Sequence, residues 1–194
     1  MLEELLEQEL DINNYDFKNT NIINETIKNK SINNINFIEC NLSNTNFDNV
    51  LFDNTNFTNC NLSNTSFREC SFKNCTINNC KLLGTTYNIV YFIDLIITNS
   101  IGKLINITES KIKKLTIKTS ELIESNFYDN EVKKLFLEKV NLTKSDFYKT
   151  PLNGVDVSTC DITDIKITIN DMKGMIIDQF QSIDLISYLG IKIK

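Results

Sequence analysis

The chain has 194 residues, with 25 Asp or Glu, 20 Lys or Arg and no His, for a net charge of −5. Without His, acid–base catalysis at neutral pH loses its commonest agent, and five Gly leave no glycine-rich phosphate loop, so an enzyme is not expected. No apolar run is long enough to cross a membrane and no signal-peptide pattern is present, so a cytoplasmic location is expected.

Residues 1–10, MLEELLEQEL, differ from everything after them. Leu2, Leu5, Leu6 and Leu10 recur at near-helical spacing with Glu3, Glu4, Glu7 and Glu9 between them. The pattern predicts a short amphipathic helix that covers the end of the repeat beginning next. An acidic helix held for a partner is the alternative reading.

From Ile12 a five-residue phrase takes over. Stepping by five from Ile12 to Ile177 gives 34 places, and 33 hold Ile, Leu, Val, Phe, Tyr or Met, with Gly102 the exception. Two places before these centres, in residues 35–80, stand slim residues such as Cys40, Thr45, Val50, Thr55 and Cys60. The other places are mostly Asn, Ser, Asp or Thr. Along a strand, inward side chains recur every second residue. Here the inward places run 0, 2, 5, 7, so the phase slips once in every five and a corner must follow each side. A chain turning at regular corners closes into a coil, and coils stack at the ~4.8 Å spacing of strands.

The phrases CNLSN at 40–44 and 60–64, TNFDN at 45–49 and TNFTN at 55–59 resemble the pentapeptide-repeat family, whose motif is loosely A(D/N)LXX. The resemblance implies an all-β solenoid, a right-handed quadrilateral β-helix with four pentapeptides per coil and each centre residue inside. Residues twenty apart would then stack, as in Phe52, Phe72 and Phe92 or Phe47, Phe67 and Tyr87. The expected core column residues are Phe37, Phe47, Phe52, Phe57, Phe67, Phe72, Phe92, Phe127 and Phe147. The expected organisation is a cap at 1–10, the β-helix at 11–174, and a C-terminal helix and short strand at 175–194.

Four features depart from the plain repeat. Glu25 and Lys30 occupy inward places, so either they reach around the end of the rod or the first regular coil begins nearer Ile32. Leu83, Ile89, Tyr91, Ile93, Ile96, Ile101 and Leu104 occupy outward places. They belong either to a distorted coil that buries them again or to an apolar belt for a partner, with Leu83, Tyr91, Ile93 and Ile96 its leading members. Gly102 implies a void or an inward shift of backbone that bends the rod. All six Cys fall in the slim slot, where a thiol acts as a compact apolar group. No metal, cofactor or small-molecule substrate is expected.

In the C-terminal segment, Phe180, Ile183, Leu185, Ile186 and Leu189 predict a helix over 179–189, stopped by Gly190, with Ile191 and Ile193 in a short edge strand. Gln181, Leu185, Leu189, Gly190 and Ile191 match the ending of the quinolone-resistance branch of pentapeptide-repeat proteins. That resemblance implies a tail-to-tail homodimer, with Phe180, Ile183, Ile186, Ile191 and Ile193 as interface candidates. It also implies binding to DNA gyrase or topoisomerase IV as an acidic rod that mimics DNA.

The charge runs against such a mimic. Residues 1–10 hold four acids and no base, so the rest of the chain carries −1. Residues 1–100 have 12 acids and 6 bases, whereas 101–194 have 13 acids and 14 bases. Lys73, Lys111, Lys113, Lys114, Lys133, Lys134 and Lys173 gather at outward places on one side. Interleaved Asp53, Asp94, Glu131 and Asp171 predict a mixed solvated face there rather than contact with nucleic acid. A structural or protein-interaction scaffold with no topoisomerase role is the alternative function.

Overall fold

A computed structural model describes residues 11–186 and 188, apart from the side chain of Asp184. Its strands pair in parallel at a constant offset of twenty residues: Phe17 with Phe37, Phe52 with Phe72, Ile97 with Ile117 and Ile107 with Phe127. That offset is four five-residue sides, so the chain closes one quadrilateral coil and begins the next directly above it. The first side carries Leu51–Asp53, Ser71–Lys73, Tyr91–Phe92, Lys111–Ile112 and Glu131–Val132. The second carries Asn56–Thr58, Cys75–Asn78, Leu95–Thr98, Leu115–Lys118 and Leu135–Glu138. Asp11–Lys18 and Ser31–Ile38 each run across both sides. Isolated bridges such as Asn41 to Asn61 hold the third side, and short strands from Thr26–Lys28 to Asn126–Tyr128 form the fourth.

The corners explain the abundance of Asn. Among the described residues, 25 non-glycine residues have positive φ, each two places after a centre, and 13 of them are Asn. The left-handed region is costly for most side chains and least so for Asn among residues with a Cβ. The same residues reach along the rod. Asn34 Nδ2 donates to Asn14 Oδ1 at 3.1 Å, Asn64 to Asn44 at 3.2 Å and Asn79 to Asn59 at 2.7 Å.

Inside, the centres form columns. Phe37 lies over Phe57 with ring centroids 5.0 Å apart and planes within 7°, and Phe52 over Phe72 at 4.9 Å and 9°. Phe47 meets Phe52 edge-on at 5.3 Å and 71°. Each such ring contributes about 1.5–3 kcal/mol by burial, with roughly 0.5–1.5 kcal/mol more from the aromatic pairing. The slim slot makes a different contact. Thr55 Oγ1 donates to Ile32 O at 3.0 Å, Thr65 Oγ1 to Leu42 O at 2.8 Å and Cys60 Sγ to Phe37 O at 3.3 Å, each 23 residues back. The slot therefore leans toward the preceding coil.

This lean settles the first departure. The ladder is regular from Asp11, not from Ile32. Tyr15 and Glu25 are exposed and Lys30 half-exposed, because the repeat has no earlier coil for their slots to lean on. At Gly102 neither a void nor a break in the ladder appears. Gly102 N–H donates to Glu121 O at 2.7 Å, and a Cβ there would stand 2.2 Å from Ile105 Cδ1. The large Ile105 in a slim slot fills the space that a centre side chain would take, so two adjacent places have exchanged volume. The distorted-coil reading of 82–104 also fails. The coils run on in register, and Leu83, Ile89, Tyr91, Ile101 and Leu104 are exposed, while Ile93 and Ile96 are half-buried.

Tyr87 is the one aromatic centre with a polar atom. It is fully buried between Phe67 and Phe92, and its hydroxyl has no hydrogen-bond partner. Burial pushes its phenol well above the usual range.

Candidate interaction surfaces

The first surface is the C-terminal helix, α1 (Gln181–Ile186), within the stretch that the sequence pattern suggests. Asp178 Oδ1 accepts from the N–H groups of Phe180 and Gln181 at 2.7 and 2.8 Å, and Gln181 Oε1 accepts from Asp178 N–H at 3.0 Å. This reciprocal cap fixes where the helix starts. Gln181 Nε2 also donates to Val157 O at 2.9 Å and Cys160 O at 2.8 Å. These are carbonyls of the last coils, so Gln181 seals the end of the rod and ties the helix to it. Leu185 is buried on the same inner face, and the Tyr188 hydroxyl donates to Ile165 O.

Outward the helix is apolar. Phe180 is 70% exposed and Ile183 55% exposed, with Ile186 half-buried at the margin. Of the residues expected at an interface, these three lie on α1 or at its start; Ile191 and Ile193 lie outside the described residues, as do Leu189, Gly190 and the expected cap at 1–10.

The second surface is the apolar girdle. Its members do not form one patch: Leu83, Ile101 and Leu104 stand on or beside the third side, Tyr91 and Ile93 on the first, and Ile96 on the second. Ile89 and Leu104 hold left-handed corners, with φ of +56° and +61°, where Asn is the usual occupant. A β-branched residue such as Ile89 carries strain in that region, which the repeat imposes at its corners.

The third surface is the lysine-rich side. Lys73 Nζ meets Asp53 Oδ2 at 2.7 Å, Lys114 meets Asp94 at 2.8 Å and Lys111 meets Glu131 at 3.7 Å. All three lysine side chains are about half-exposed, so these pairs contribute little to stability. Lys113, Lys133, Lys134 and Lys173 are also exposed.

The cysteines sit inside. All six are free and buried. Burial pushes the Cys70 thiol up to about 12 and the Cys75 thiol to about 11. Among the described residues no group of three or more His, Cys, Asp or Glu could hold a metal ion.

Residues 35–74 match the family model "Pentapeptide repeats" in eight copies. The chain therefore contains pentapeptide repeats. Its coil geometry runs beyond the matched residues, over the whole span from Asp11 to Ile177. Solved pentapeptide-repeat structures show low identity to it. A trypsin-treated form of QnrB1, a plasmid-mediated fluoroquinolone resistance protein, is 17% identical with a TM-score of 0.41, covering 94% of this chain and 99% of that one. HetL, involved in heterocyst differentiation regulation in Nostoc sp. strain PCC 7120, is 9% identical with a TM-score of 0.30, covering 92% of this chain and 95% of that one. Rfr23 from Cyanothece 51142 is 12% identical with a TM-score of 0.33, covering 91% of this chain and 97% of that one. No curated protein matches the chain.

Proposed function

We propose that this pentapeptide-repeat protein is a non-catalytic, cytoplasmic interaction rod that pairs tail to tail as a homodimer and binds a type II topoisomerase, DNA gyrase or topoisomerase IV, in place of DNA. One observation carries the pairing: Gln181 and Leu185 face the last coils while Phe180 and Ile183 face solvent. A helix anchored on one face and apolar on the other is satisfied by a second copy of itself about a two-fold axis. The topoisomerase partner rests on the likeness of the tail, Gln181 through Ile191, to the quinolone-resistance ending. A gyrase supercoiling assay tests it. Added protein should inhibit supercoiling, and Ile183→Glu should relieve the inhibition in step with conversion to monomer. Wild-type dimer with no effect on gyrase would sink the topoisomerase reading.

A second reading, a scaffold for a different partner, is favoured by charge. After residue 10 the chain carries only −1, and residues 101–194 hold more bases than acids. A phosphate mimic needs ordered negative charge to enter a basic groove.

A further inference from the structure

The constant offset decides which charges meet. Lys111 pairs in the ladder with Glu131 and Ile112 with Val132, which sets Lys113 beside Lys133 and Lys114 beside Lys134 on successive coils. These are the two places among the described residues where one lysine follows another at twenty-residue spacing. Neighbouring coils lie ~4.8 Å apart, so four ammonium-bearing side chains leave one small area of the first side. On the same side Lys73 sits next to Asp53 and Lys111 next to Glu131. Lys114 has Asp94, but Lys113, Lys133 and Lys134 have no ion pair among the described residues.

Beside this cluster runs an open groove of about 480 Å³, lined by Lys113 and Lys133, by the ion pair of Lys111 with Glu131, and by Tyr91, Ile93 and Val132. Tyr91 is exposed, and Val132 is a centre residue left half-buried. Cations and apolar surface thus share one groove, in the coils next to the strained, exposed Ile89.

We propose that this groove binds an acidic, extended segment of a partner protein that carries an apolar side chain. Carboxylates of the segment would lie among Lys113, Lys133 and Lys134 and relieve their mutual repulsion, while its apolar side chain covers Tyr91, Ile93 and Val132. Nucleic acid suits the site less well. Its affinity grows with the number of phosphates neutralised, and here the cations span only two coils, too short a track for a duplex backbone. The site is independent of tail-to-tail pairing.

The test is fluorescence anisotropy of full-length protein with a short labelled peptide of alternating Glu and Leu, beside its Gln and Leu counterpart and a labelled DNA duplex. The Glu peptide should bind saturably and weaken with added salt. Lys113→Glu with Lys133→Glu should cost roughly tenfold or more in affinity, Tyr91→Ala severalfold, and Ile183→Glu nothing. The lysine variants should melt like the wild type. Failure of the Glu peptide to bind better than its Gln counterpart, equal binding by the double lysine variant, or tighter binding of the duplex would overturn the proposal.

Discussion

Removing one oxygen from the core should make this protein more stable. Tyr87 continues the column of Phe47 and Phe67, stacking on Phe67 at 5.1 Å and 13° and tilting against Phe92 at 5.6 Å and 55°. Its ring repeats what Phe does one coil earlier, but its hydroxyl is buried with no partner. Burying a hydroxyl unpaired costs about 1–3 kcal/mol on mutational scales. Tyr87→Phe keeps both ring contacts and leaves a gap of one oxygen, so a net gain of about 1–2 kcal/mol is expected. For a chain of this size that is a rise of roughly 2–8 °C in Tm, provided unfolding is two-state. Urea titration at neutral pH, with the slope compared between variants to guard against a changed unfolded state, gives the number. A loss of stability from Tyr87→Phe would mean that the hydroxyl is bonded, by an internal water for instance, and the reasoning would fail.

Other expectations follow from single places. Ile89→Asn, at φ +56°, should stabilise by about 1 kcal/mol by removing left-handed strain, as thermal melts would record; a neutral or destabilising result would show that Ile89 is held by contacts. Gly102→Ala should cost about 1–3 kcal/mol, because Ile105 Cδ1 occupies the space, and Ile105→Val in the same chain should recover part of that loss in a double-mutant cycle. Additive effects would contradict the exchange of volume. The raised thiols of Cys70 and Cys75 favour the protonated folded state, so their contribution is fully present below the ordinary thiol value of 9.0 and is lost as pH rises toward about 12 and about 11, respectively. Cys75→Thr, which repeats the Thr55 found one coil earlier, should flatten that alkaline loss in urea titrations carried out across pH; an unchanged slope would contradict it.

The repeat was legible because burial at a centre place tolerates only apolar residues, and Phe37, Phe47, Phe52, Phe57, Phe67, Phe72, Phe92, Phe127 and Phe147 are buried where the five-residue step puts them, while Phe136, off the step, is exposed. The corners were legible as corners, but their left-handed backbone is readable only where Asn marks it. Ile89 and Leu104 carry no turn signal, so their strain emerges only from the structure. The exchange between Gly102 and Ile105 was hidden because it depends on a slot side chain crossing into the place of a centre three residues earlier. At the tail, Asp178 three places before Gln181 forms a capping pair that helical spacing does not reveal, and it is consistent with an entry to the helix near residue 179. The lysine cluster could be seen as a charged side, but the stacking of Lys113 on Lys133 required the twenty-residue offset to be established.

The pairing of two rods through the tail is the central claim, and the mass in solution tests it most directly. Light scattering of the purified chain should give twice 22.4 kDa, and Phe180→Glu with Ile183→Glu should give 22.4 kDa with the β-solenoid signal in circular dichroism unchanged. A monomeric wild type, or a dimer indifferent to both substitutions, would contradict it.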